Sequence, residues 1–241
     1  MALARAHLES LLREKKLDVT LSHLRPAADT RPALPLGRAD LDRLLNGGLP
    51  RGELSEVTGP RSSGRTTLMY AALATATRCG ELAALVDALD RFDVESAASL
   101  GVELANLLWV RGMAASAEAI HCGAGGAHAG QDSAWRALER AIKTFTLVLE
   151  SRAFALAVCD LADVPSPILR RLPFTTWFRL ARTIDGGNTA ALVVGPERLG
   201  RSAGGVTIAL GHETTLQWRG ASDRARLFDG IVPRARVVGR N

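Results

Sequence analysis

The chain has 241 residues, 47% hydrophobic and 23% charged, which is enough to bury a core without a disulfide or metal staple and too apolar for disorder to dominate. Thirty Lys and Arg against 25 Asp and Glu leave a formal charge of +5, compatible with a nucleic-acid partner but too modest to demand one. Six Phe, four Trp and one Tyr argue against an aromatic platform for stacking bases.

All but three of the basic residues are arginine, the side chain suited to bidentate phosphate or carboxylate contacts. Cys79, Cys122 and Cys159 form no CxxC or CxxH pattern. Cys79 and Cys159 sit in apolar contexts that predict core positions and a reducing compartment. The first residues lack an apolar leader core, and no window reaches about 18 uncharged apolar residues, so a cytoplasmic protein with no membrane span is expected.

Leu3, Leu8, Leu11 and Leu12 recur at helical spacing between Ala2 and Lys16, and Val19 and Leu21 mark a short strand after them. Three prolines between Arg25 and Pro35 make the next stretch a linker. This divides the chain into an arm, residues 1–30, and a core, residues 31–241. The arm is too small to cover its own apolar face and must dock, either on its own core or on another chain.

Beyond the linker, strands and helices alternate. Strands are expected at 53–58, 82–86, 107–110 and 154–159, with helices at 64–78, 96–100 and 133–150 and a Gly/Ala/His loop at 123–130. After Gly187 closely spaced strands follow at 189–194, 206–210, 215–218 and 235–238. The rhythm predicts an α/β fold with a mostly parallel central sheet and a β-rich C-terminal edge.

The segment Gly59-Pro-Arg-Ser62-Ser63-Gly64-Arg65-Thr66-Thr67 carries the chemistry. It fits G-x-x-x-x-G-K-[ST] except that Arg65 replaces the lysine, and it lies between a predicted strand and a predicted helix. In such a loop backbone N–H groups converge on a phosphate at the helix N-terminus, and the Thr66 hydroxyl is placed for Mg²⁺. Arg is longer and planar, a poor copy of a compact ammonium. Asp160, closing the strand Phe154–Asp160, has the place of the second acidic residue behind the metal; an ordinary turn or helix-capping aspartate fits the same position. His121, Cys122 and His128 match no zinc spacing, and no metal site is expected. Ser62 and Ser63 have no histidine signature nearby. Trp109 and Trp135 read as core.

The run Gly47-Gly-Leu-Pro-Arg-Gly-Glu-Leu-Ser-Glu-Val-Thr-Gly59 leading into the loop resembles the RecA family, as do Leu85-Val-Asp87-Ala and Leu100-Gly-Val-Glu-Leu-Ala-Asn-Leu-Leu108. The resemblance extends over the whole chain and implies a RecA-like P-loop core with an N-terminal helix–strand arm. It also implies that the C-terminal domain of RecA is lacking. Asp160 then matches the Walker B aspartate. Three positions depart from the family pattern. Arg65 replaces lysine, Leu89 stands where the family carries its catalytic glutamate, and Gly195-Pro196 stands where it has Asn-Gln. The two DNA-binding loops of the family correspond to 161–173 and about 195–205; both look altered and the second is shorter than usual, with Arg170, Arg171, Arg198 and Arg201 leaving some positive charge there.

Together the departures and the length most resemble ImuA, the RecA-like accessory found with ImuB and an error-prone polymerase in bacterial damage-tolerance operons. That resemblance implies a catalytically impaired RecA relative that works in the SOS response and translesion synthesis by binding RecA, capping or inhibiting its filament, and linking it to ImuB and the polymerase. No cofactor is required on this reading; Gly59, Ser62, Ser63, Gly64, Arg65, Thr66, Thr67 and Asp160 are the positions where ATP and Mg²⁺ would still bind. In RecA filaments the arm of one subunit packs on the core of the next, so Leu3, Leu8, Leu11, Leu12, Val19 and Leu21 are the expected partner-binding surface. Arg198, Arg201, Arg234 and Arg236 are candidate DNA or partner contacts. The basic run Arg224, Arg226, Arg234, Arg236 and Arg240 fits phosphate tracking and a merely solvated face equally well. The competing reading is an active DNA-dependent ATPase in which Asp90 substitutes for the missing glutamate.

Overall fold

A computed structural model of the chain describes residues 32–112, 127–200, 204–220, 222 and 224–240. The expected arm, with Leu3 through Leu21, lies outside the described residues, as do Arg201, His121 and Cys122. The described elements run α1 (Ala39–Leu44), β1 (Leu54–Thr58), α2 (Arg65–Arg78), β2 (Ala83–Asp87), α3 (Val94–Ser99), β3 (Leu107–Arg111), α4 (Ala127–Ser151), β4 (Leu156–Asp160), α5 (Ser166–Leu169), α6 (Thr175–Ile184), β5 (Ala190–Gly195), β6 (Gly204–Arg219) and β7 (Leu227–Arg240).

Seven strands form one sheet in the order β3-β2-β4-β5-β1-β6-β7. Every neighbouring pair is parallel except β6 with β7. β1, β2 and β5 are buried along their whole length, the state of a sheet covered on both faces. Alternation sorts their side chains. Leu85, Val158, Leu192 and Val194 join Val57, Leu68 and Leu73 in one cluster beneath α2. Val86, Cys159, Ala191 and Val193 join Leu138, Phe145, Leu149, Trp177 and Leu180 in a second cluster beneath α4 and α6. The result is a helix–sheet–helix sandwich, the α/β architecture expected from the alternation of elements.

Several details differ from the sequence expectation. The strands expected at 206–210 and 215–218 are one strand, β6, whose register with β7 shifts between Leu210 and Thr214. An irregularity within a long hairpin scatters the alternation and mimics a strand break. The loop expected at 123–130 gives way at residue 127 to α4; its Ala and His tolerate helix, and the Gly made the stretch look like a breaker. Helices α5 and α6 were not anticipated, and α5 falls inside the first expected DNA loop. Cys79 is exposed just past the end of α2 rather than in the core, whereas Cys159 is fully buried. Burial pushes the Cys159 thiol far up, so it stays protonated and packs as a small hydrophobe.

Candidate phosphate loop and its surroundings

β1 delivers the chain to Gly59 at the carboxyl edge of the sheet, between β5 and β6. A Cβ on Gly59 would lie 2.5 Å from the Leu210 carbonyl oxygen and 2.7 Å from Ser63 Oγ, so no side chain fits there. The loop turns through Ser62 at φ 61° and Gly64 at φ 91°. The Leu68 N–H then donates to the Gly64 carbonyl at 2.9 Å and starts α2. No side chain caps this helix, so its first amides are left for a ligand or water. Ser63 Oγ is buried without a hydrogen-bond partner, a polar atom in want of an acceptor or donor inside the turn. These features fit a phosphate group. A cavity of about 380 Å³ opens beside the loop, walled by Arg38, Leu41, the start of α2, Leu210 and Ala235.

Arg65, the residue in the lysine position, is buried. Its Nη1 donates to the Ala162 carbonyl at 3.1 Å, tying the loop to the turn after β4. Burial lowers the proton affinity of its guanidinium, while Asp160 and Asp163 raise it. Asp160 ends β4 directly opposite Asp87 at the end of β2. Its Oδ1 accepts from the Ala162 N–H at 2.9 Å. Burial raises the Asp160 carboxyl to about 6; the Ala162 N–H opposes that rise, Asp87 and Asp163 add to it, and Arg65 opposes it further. Asp160 and Thr66 are the residues that would hold a nucleotide-bound Mg²⁺, with the ion supplying charge neutralisation at the phosphates. Among the described residues no cluster of three or more His, Cys, Asp or Glu has metal-binding geometry.

The carboxylate positions nearby are already committed. Asp87 Oδ2 accepts from the Phe92 N–H at 2.8 Å. Leu89, at the glutamate position, is only 3% exposed and belongs to the second core cluster. Asp90 has φ 57° and accepts a fork from Arg111, Nε to Oδ1 at 2.9 Å and Nη2 to Oδ2 at 2.8 Å. That guanidinium holds the Asp90 carboxyl below its usual range and stacks over the Trp109 ring at 4.7 Å. Trp109 is partly buried against the first core cluster. Trp135 packs against the second and lies under the Arg171 guanidinium at 4.8 Å.

Sequence reasoning missed the carboxylate that organises the 195–205 segment. Glu56, buried in the middle of β1, accepts from the Leu199 and Gly200 N–H groups at 2.9 and 3.0 Å and from the Thr207 hydroxyl at 2.8 Å. Arg198, a candidate DNA contact, lies with its Nε 3.4 Å from Glu56. Arg170 forks onto Glu197 at 2.9 and 2.6 Å, joining the segment after β4 to the segment after β5. The one charged residue inside the strand Leu54–Thr58 was the available signal, since a buried carboxylate requires several donors. Arg236 is exposed on β7; Arg234 lies on the same strand.

The sheet order and the Gly59–Thr67 turn define a RecA-like P-loop core. The model of the RecA N-terminal domain matches residues 26–118, the stretch from the linker through β3. The chain is 42% identical to the protein RecA of Frankia alni over 110 residues, covering 40% of this chain and 32% of that protein. It is 51% identical to the protein RecA of Prochlorococcus marinus (strain MIT 9303) over 74 residues, 31% of this chain and 20% of that one. RecA of Arthrospira platensis is 50% identical over 72 residues. The chain is therefore RecA-like, and it spans a third or less of the length of these relatives. No described helix is long and apolar enough to cross a membrane.

Proposed function

We propose that this protein is a catalytically impaired RecA relative of the ImuA type, which binds RecA and modulates its filament during DNA damage tolerance and error-prone translesion synthesis. The observation that carries the reading is the pair of neighbours Leu89 and Asp90. An apolar side chain sealed in the core fills the position of the water-activating base. The adjacent carboxylate is forked to Arg111 and held ionised. Neither is disposed to orient a water. Arg65, tied to the Ala162 carbonyl, supports the same conclusion.

A surface for RecA accompanies this loss. Strand β3 is the outer strand of the sheet among the described residues, paired with β2 alone. Leu82, Leu100, Leu104 and Leu108 are exposed on and around it. An open edge flanked by leucines accepts an added strand, and the arm of a neighbouring RecA subunit supplies one. The chain's own arm, through Leu3, Leu8, Leu11, Leu12, Val19 and Leu21, is the complementary half of a head-to-tail contact. A subunit with both halves enters or caps a filament without contributing turnover, and ImuB and the polymerase are the further partners this role implies.

Pull-down of RecA by this protein tests the contact. Leu8→Asp with Leu12→Asp, and separately Leu108→Asp, should each remove RecA binding while the melting temperature of the core stays near that of the parent. Unchanged capture by both variants would remove the basis for the filament contact.

A further inference from the structure

α4 and α6 each run back across the sheet to begin the next strand, β4 and β5, which are parallel neighbours. The two helices therefore lie side by side in the same sense. Between them opens a groove of about 890 Å³. Its α4 wall extends from Trp135 to Glu150, roughly 22 Å at about 1.5 Å per residue. The floor is apolar. Trp135, Ile142 and Leu172 are only partly buried against the second core cluster, so part of each side chain stays open to the groove. Leu147, one turn past Lys143 on α4, is 65% exposed at the rim. The two walls differ in charge. α6 contributes Arg179 and Arg182 and has no acidic residue from Thr175 to Ile184. α4 contributes Glu139, Lys143 and Glu150. None of these five side chains forms an ion pair with a described residue.

We propose that the α4–α6 groove is the docking site for an amphipathic helical segment of a separate protein, whose apolar ridge fills the floor and whose acidic flank faces Arg179 and Arg182. Length and charge select this occupant. A helix of about 15 residues, some four turns, matches the groove from end to end. Carboxylates on the α6 side meet two exposed, uncommitted guanidinium groups. Glu139 and Glu150 repel acidic groups on the α4 side, so the segment is acidic along one flank only. The chain's own residues 1–16 carry four Arg and Lys against two Glu, the wrong sign for the α6 wall. A nucleic-acid strand would meet Glu139 and Glu150 along the same groove and brings no apolar ridge for its floor. The groove is separate from the β3 edge, and the proposal does not rest on the RecA contact.

The test is anisotropy of a fluorescein-labelled synthetic helix of about 15 residues titrated with the full chain. Its leucines follow helical spacing, with glutamates along one flank and glutamines along the other; a comparison peptide has lysines in place of the glutamates. The parent should bind the glutamate peptide about tenfold or more tightly than the lysine peptide. Arg179→Glu with Arg182→Glu should abolish that preference, with a melting temperature near the parent's because both side chains are exposed. Arg179→Lys with Arg182→Lys should keep it. Leu147→Asp should weaken the glutamate peptide several-fold. If the charge-reversed variant does not fold, the two peptides on the parent decide alone. Equal binding of the two peptides, no binding by the parent, or an unchanged preference in the charge-reversed variant each overturns the proposal. Displacement of the glutamate peptide by a thymidine strand also overturns it and assigns the cations to nucleic acid.

Discussion

Arg65 in the first turn of α2 and Ala162 in the turn after β4 are joined by a 3.1 Å hydrogen bond from guanidinium to carbonyl. The Arg65 guanidinium therefore serves as a strut between the Gly59–Thr67 turn and the turn after β4. Arg65→Lys replaces the planar fork with a compact ammonium. The variant should bind a fluorescent ATP analogue about tenfold or more tightly than the parent, a change worth ~1.4 kcal/mol. It should still release no phosphate, because Leu89 remains. A titration with identical affinities would show that Arg65 does not limit binding.

Asp160 gives a pH signature. Its carboxyl is raised from 3.8 to about 6 in the folded protein, mainly by burial, so the folded state holds this proton more tightly than the unfolded chain. Between about pH 4 and pH 6 the contribution of this group to stability therefore falls as pH rises, and at pH 7 the ionised carboxylate is a net cost. Asp160→Asn should stabilise the metal-free protein at pH 7 by up to about 3 kcal/mol, with little gain at pH 4. Urea unfolding in a chelating buffer at the two pH values checks this. A destabilised variant at pH 7 would mean that Arg65 and the Ala162 N–H outweigh burial.

Glu56 predicts a local effect at a distance in sequence. Glu56→Gln keeps the shape but replaces one accepting oxygen by a donor, facing the Leu199 and Gly200 N–H groups or the Thr207 hydroxyl. A loss of about 1–3 kcal/mol is expected. Amide exchange should speed up at Leu199 and Gly200 before it does in the strands. Uniform acceleration across the sheet would show that Glu56 supports the fold as a whole.

The fold was legible because its signals are strong and local. Wholly apolar strands such as Ala83–Val86, the glycine-bounded turn at Gly59–Gly64 and the Ala-rich α2 each announce their own conformation. What escaped depends on contacts distant in sequence. Arg170 with Glu197 and Glu56 with Leu199 and Gly200 join segments 27 and more than 140 residues apart, and no spacing rule connects such pairs. Cys79 reads as core because α2 is apolar on most of its surface, yet the cysteine falls just past the helix end. The turn at Gly59–Gly64 and the place of Asp160 at the end of β4 were legible from pattern. The commitments of Arg65 to Ala162 and of Asp90 to Arg111 were not, since an arginine partner is chosen by geometry rather than by pattern.

Phosphate release from ATP, followed for this protein alone and for a RecA filament on single-stranded DNA with this protein titrated in, tests the central claim most directly. The account predicts no release by the protein itself and dose-dependent suppression of release by the filament. DNA-stimulated release by the protein alone, abolished by Asp90→Asn, would contradict it and establish an active ATPase that uses the shifted carboxylate.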